Sequence, residues 1–186
     1  VIVTVDRPGT PQGRIKARIE EVGEEAGRLA AAHLGGRMPQ VRVLVSDRMG
    51  MVRAFVRSTL DLVEADSFKR RSVDTVKMWR GSHNTLGVTV PDRRGALVVI
   101  NGVPHGTDRA KLDATLIHEL GHTVQVGSPQ ARARYRTYVR QQLGLEPFDE
   151  DVVGSYLRLM QIHEQQAANL EVLARRLGRG RRGTAA

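Results

Sequence analysis

The 186-residue sequence contains no cysteine. That absence excludes disulfide scaffolds, thiolate-ligated zinc sites and thiol nucleophiles together. Aromatic residues make up only 4% of the chain, which argues against a surface built to stack nucleic-acid bases. Long apolar runs are also missing. Stretches such as Ala96–Leu97–Val98–Val99–Ile100 are far shorter than the roughly 20 residues a membrane-spanning helix needs. The N-terminus lacks the basic start, apolar stretch and small-residue cleavage site of a secretory signal. With no cysteine and no such signal, the sequence predicts a cytoplasmic protein with no membrane partner.

What is present describes an ordinary globular chain. Hydrophobic residues reach 40% and charged residues 26%, enough for one core. The length suits one domain, here placed over residues 1–177, with 1–9 a loose N-terminal arm and 178–186 a disordered Arg/Gly tail. The net charge is +9, and much of it is local. Arg175, Arg176, Arg179, Arg181 and Arg182 crowd the C-terminus, and without these five the excess falls to about +4. The tail reads as a solvated segment, with nucleic-acid contact as the other reading. No helix-turn-helix or zinc-finger signature accompanies it.

Periodicity and punctuation outline the elements. Thr10 before Pro11 opens a helix to about Leu34, with Ile15, Ile19, Val22, Ala26 and Leu29 on one face. Val41–Val45 alternates as a strand, and residues 50–64 read as a helix. Leu86–Val90 and Ala96–Asn101 flank a turn at Pro91–Gly95 and predict a hairpin. Thr107–Asp108 caps a helix running to Val126 and closed by Gly127. Another helix starts at Ser128–Pro129 and ends near Gly144, and a long one covers about Asp149 to Leu177. Residues 64–82, with the single Trp79, show no clear pattern. The order of elements predicts an α+β fold with a small, mostly antiparallel sheet.

The chemistry sits in His118–Glu119–Leu120–Gly121–His122, an H-E-x-x-H pattern on a predicted helix. Residues four apart differ by roughly 40° around a helix and about 6 Å along it, so two imidazoles can converge on one metal ion. Glu119 lies beside them and suits the role of general base. Leu112, Leu116, Leu120 and Val124 form a stripe for core packing, opposite Thr115, His118, His122 and Gln125. Gly121 leaves room for another helix to approach.

Two imidazoles need a further protein ligand. The metzincin continuation requires Gly three residues and His six residues after His122, where Gln125 and Ser128 stand; the inverted H-x-x-E-H order is absent too. The remaining common solution is a Glu on a later helix. Glu164 is the leading candidate, on a face shared with Tyr156, Met160 and Ala167. His163 and Glu171 are the alternatives, and Glu171 can also serve as an acceptor that orients a ligating imidazole.

The strand Ala96–Asn101, the run Leu116–His122 and the later Glu164–Ala167 pair together resemble the ImmA/IrrE-type zinc metallopeptidases, gluzincin-like proteins of bacteria, mobile elements and phages. The resemblance covers roughly residues 86–174. It rests on a strand ending in Asn, an L-x-HELGH helix and a Glu-x-x-Ala pattern farther on. Ala168 stands where the family often has Asn, with Asn169 one position later. The resemblance implies a zincin-like fold, a Zn2+ cofactor, a third ligand from the C-terminal helix and cleavage of a protein substrate such as a regulatory protein.

The expected reaction is therefore zinc-dependent peptide hydrolysis. His118, His122 and Glu164 would hold the ion, and Glu119 would take a proton from the attacking water. Strand Ala96–Asn101 would be the edge along which an extended substrate adds. Tyr135, Tyr138, Tyr156 and His105 are candidates for stabilising the oxyanion. The competing reading is a zincin-fold binding or structural component of a phage or secretion assembly, without peptidase activity.

Overall fold

The computed structural model describes residues 2–5, 10–64, 85–93 and 95–178. The segment around Trp79 and the tail beyond Gly178 lie outside the described residues. Four strands, β1 (Ile2–Val5), β2 (Val41–Ser46), β3 (Gly87–Asp92) and β4 (Gly95–Asn101), form one sheet in the order β1-β2-β4-β3. The helices are α1 (Thr10–Leu34), α2 (Arg48–Leu62), α3 (Arg109–Val126), α4 (Pro129–Gln142) and α5 (Glu150–Leu170), followed by a 3₁₀ turn at Glu171–Arg176. The α+β class is as expected.

Three expectations need correction. The sheet is mixed: β1 pairs β2 and β2 pairs β4 in parallel, and only the β3–β4 hairpin is antiparallel. Parallel neighbours need long crossovers; α1 makes the first, while α2 and β3 intervene in the second. Residues 2–5 are a strand and not part of a loose arm. All four are β-branched (Ile2, Val3, Thr4, Val5), which suits extended backbone, and they match Arg42–Val45 in register. Finally, Ala96–Asn101 is no edge. It lies between β2 and β3 with every residue buried, so the outer strand beside it is β3.

Period-two alternation sorts the strand side chains into two cores. Val41, Val43, Val45, Val98 and Ile100 face α1 and α3, where they meet the α1 stripe Ile15, Ile19, Val22, Ala26 and Ala30 and the α3 stripe Leu112, Leu116 and Leu120. Leu97, Val99 and Val90 face the other way, onto Met51 of α2. Asp47 caps α2 through the Gly50 N–H at 2.7 Å.

The side of the sheet bearing α1 and α3 positions the candidate site. Arg18 on α1 grips Asp113 on α3 through two hydrogen bonds of 3.0 and 2.6 Å. Both side chains are largely buried, and this two-point contact sets the rotation of α3 about its axis. Helix α5 then docks on α3 through Ala167 and Leu170, both fully buried. The expected single helix to Leu177 tightens into a 3₁₀ turn after Leu170, and Leu177 joins the main core. No helix among the described residues is long and apolar enough to cross a membrane.

Candidate metal centre

Helix α3 begins where Asp108 accepts the Lys111 N–H at 3.0 Å and ends at Gly127. With Leu112, Leu116 and Leu120 committed to the core, His118 and His122 must point away from it, one turn apart. Their rings meet edge to face, centroids 4.9 Å apart, with the two Nε2 atoms at 3.1 Å. Glu164 on α5 reaches the same point, one carboxylate oxygen 3.6 Å from His118 Nε2 and the other 3.4 Å from His122 Nε2. Ligand atoms of His118, His122 and Glu164 all lie within 4.8 Å of one another. Among the described residues these three could hold a metal ion.

Glycine makes this convergence possible. A Cβ on Gly121 would run into Leu170 Cδ1 and touch Ala167. Its absence lets α5 lie directly on α3, which brings Glu164 over the imidazoles.

The hydrogen bonds behind the rings determine what the ring tips offer. His118 Nδ1 lies 2.9 Å from Glu171 Oε1. A carboxylate accepts, so Nδ1 carries the proton and Nε2 is left with its lone pair. His122 Nδ1 lies 2.8 Å from Gln125 Oε1, with the same consequence. Three acceptors, two imidazole nitrogens and a carboxylate, thus face one point. Without a cation there, a proton must relieve the repulsion. Burial alone would lower the His118 pKa, but Glu164, Glu119 and Glu171 together outweigh it and lift the value above the ordinary one. The neighbouring His118 and His122 imidazoles, favouring its charged form, hold the Glu164 carboxyl well below the usual range. The donor set fits a divalent metal with nitrogen and oxygen preference.

Glu119 stands beside the triad without belonging to it. It is 6% exposed, and burial pushes its pKa up against the opposing pull of His122 and Thr89. The Thr89 hydroxyl on β3 lies 2.7 Å from Glu119 Oε2 and 2.9 Å from the Glu119 carbonyl. Gly87, two residues earlier on the same face of β3, supplies the space. A Cβ there would lie 2.8 Å from Glu119 Cγ.

These residues open on a cavity of about 510 Å³ lined by β3, α3, Tyr135, Tyr156, Met160 and His163. Tyr156 stacks on Tyr138 with centroids 4.3 Å apart, and Tyr135 lies 3.2 Å from the Thr59 hydroxyl. Burial raises the pKa of both Tyr156 and Tyr135, the latter to about 12, so both phenols keep their protons. His163 lines the cavity with a buried, unpartnered Nδ1 but stands outside the triad. His105 is not brought to it: the ring is buried along a second cavity, between α1 and the start of α3, with Arg14, Arg18 and Arg109.

Of the three candidates for the third position, Glu164 is the one beside both Nε2 atoms, while Glu171 sits behind His118. Thr89 and Gly87 carry no sequence signal beyond their shared face of a predicted strand. The helical spacing puts Gln125 on the same face of α3 as His118 and His122, and its partners give it a role. Comparison with family models, with curated proteins and with solved structures returned no match.

Proposed function

We propose that the protein is a zinc-dependent endopeptidase acting on a protein or peptide substrate, with His118, His122 and Glu164 as metal ligands and Glu119 as general base. The observation that carries this reading is the meeting of three lone-pair donors at one point beside a buried carboxylate. Zinc, when bound, acts there as a Lewis acid that eases deprotonation of water and polarises a peptide carbonyl. Imidazole and carboxylate ligands with an adjacent, non-ligating Glu suit hydrolysis better than storage of the ion.

The side chains supply the remainder. Glu119 accepts at its carboxylate the proton that water sheds on attacking the carbonyl, then delivers it to the departing amine nitrogen. Burial favours the first transfer, because it raises the carboxyl pKa and makes the group a stronger proton acceptor. The Thr89 hydroxyl holds the carboxylate in place between the two transfers. Tyr156, protonated and lining the cavity, is the phenol available to donate to the developing oxyanion.

Strand β3 offers the substrate its backbone. Among the described residues it is one of the two outer strands of the sheet, and Gly87, Val88, Thr89 and Pro91 line the cavity. An extended peptide adding alongside would lay its scissile bond near Glu119. This role passes from β4, which is enclosed, to β3. The nucleic-acid expectation rests on the Arg/Gly tail, which falls outside the described residues from Arg179 onward.

The test is elemental analysis of protein purified without chelators, paired with cleavage of unfolded casein. One zinc per chain and chelator-sensitive cleavage are expected. Glu119→Gln should keep the metal and abolish cleavage. A zinc-loaded protein that cleaves no peptide, but binds a partner tightly, favours the binding-component reading instead.

A further inference from the structure

Helix α3 contributes two of the three triad residues and α5 the third, so the site exists only while these helices hold one relative position. Gln125 touches both. Its Nε2 lies 3.1 Å from the His163 carbonyl and 3.0 Å from Gln166 Oε1, both on α5, while its Oε1 lies 2.8 Å from His122 Nδ1. The chemistry of these partners leaves no choice of orientation. A backbone carbonyl can only accept, so the amide nitrogen must face His163. The amide oxygen is then committed to His122, and an amide oxygen can only accept. His122 must carry its proton on Nδ1, which leaves the Nε2 lone pair directed at His118 and Glu164.

We propose that Gln125 is a positioning residue. It selects the metal-binding tautomer of His122 and, through the same side chain, ties that choice to the docking of the helix that carries Glu164. The inference rests on the metal-site reading above and adds to it a residue outside the H-E-x-x-H pattern. The carbonyl of His163, adjacent to Glu164, is the reference point: if α5 slides along α3, the amide loses its donor contacts and its grip on the imidazole together.

The experiment uses the 186-residue chain and zinc itself as probe, titrated against a competing chelator, with circular dichroism of the metal-free protein as a check on folding. Gln125→Leu removes both halves of the contact and should weaken zinc binding about 10- to 100-fold, the usual cost of losing an orienting partner. Gln125→Glu keeps an acceptor oxygen on His122 Nδ1 but loses both donor bonds to α5 and sets a second acceptor against the His163 carbonyl, and should recover only part of that loss. Gln166→Ala removes only one α5 acceptor and should stay near the parent. Equal affinity of Gln125→Leu and the parent overturns the inference while leaving the metal site intact. Gln125→Glu binding as weakly as Gln125→Leu also overturns it, because the loss would then come from helix docking alone. A parent chain that takes up no zinc overturns the metal reading, and the inference with it.

Discussion

The His118 imidazole is claimed at both ends by carboxylates two turns apart on the chain: Glu164 lies 3.6 Å from Nε2 and Glu171 lies 2.9 Å from Nδ1. The two acids are seven residues apart, about two helical turns, so α5 supplies the candidate ligand and the 3₁₀ turn that follows it supplies the group behind His118. Replacing Glu171 tests the second role. Glu171→Ala is expected to lower zinc affinity about tenfold or more, with Glu171→Gln retaining part of it because an acceptor oxygen remains. Competition with a chelating indicator dye measures this directly. Unchanged affinity in Glu171→Ala would show that His118 is oriented by its packing alone.

Gly87 distinguishes the proposed general base from the proposed metal ligands, because it lies against Glu119. A methyl group at this position would meet Glu119 Cγ and Oε1 at 2.8 Å, so the Glu119 side chain must shift, away from Thr89 and toward the cavity it lines. Gly87→Ala should therefore displace the base while leaving His118, His122 and Glu164 untouched. The expected outcome is zinc affinity within about threefold of the parent and a fall in kcat of the order seen on losing a general base, about 10²- to 10⁴-fold. Peptide turnover and zinc titration on the same sample decide it; parallel loss of both would place Gly87 in the fold and not in the reaction.

His105 gives the protein a pH-dependent stability of defined sign. Burial lowers its pKa, and nearby Lys111 adds to this, against opposing contributions from the Leu86 backbone and Asp108. A histidine depressed in the folded state is neutral in both states above its unfolded value of about 6.5. Below that value the unfolded chain takes up a proton that the folded chain refuses, so stability falls as pH drops from about 6.5 toward the depressed value. His163 is shifted the same way and His118 the opposite way, so the useful quantity is a difference. His105→Leu should reduce the pH slope of unfolding free energy in this range by up to one proton, read from urea titrations at half-unit steps. An identical slope would mean that His105 titrates in the folded protein as it does in the unfolded chain.

How much of this was readable from the amino-acid order depends on the range of the interaction. The α1 stripe, the β3–β4 hairpin and the caps at Asp108 and Ser128 are local, and the sequence outlines them closely. So are His118 and His122, whose spacing is a property of one helix. Parallel pairing of β1, β2 and β4 joins strands separated by whole helices, and no local signal reports which neighbour a strand will choose. The same limit governs the site. His163 and Glu164 on α5 and Glu171 in the turn after it all carry metal-binding groups; what separates them is the contact of Gly121 with Leu170, which fixes the register of α5 on α3. Thr89 and Gly87 acquire roles only through Glu119, at least 30 positions away, and Gln125 through His122 together with partners on another helix, so their residue types alone say little.

That contact between Gly121 and Leu170 can be tested as a pair. A Cβ at position 121 would overlap Leu170 Cδ1, and Leu170 is fully buried, so its side chain can move only by disturbing the main core. Gly121→Ala should destabilise by about 1–3 kcal/mol, the usual cost of overpacking, despite alanine's better helix propensity. Leu170→Ala should cost about 2–5 kcal/mol through the cavity it leaves. The double variant places a methyl group where the leucine was removed, so its loss should be smaller than the sum of the two by at least about 0.5 kcal/mol. The coupling should also appear in the metal site. Gly121→Ala alone pushes α5, and with it Glu164, away from the imidazoles and weakens zinc binding, whereas the double variant lets the helix settle back and recovers affinity. Urea unfolding of the metal-free proteins and zinc titration of the same four samples give both quantities. Strict additivity in stability, with no recovery of affinity, would show that the register of α5 is set elsewhere along the helix.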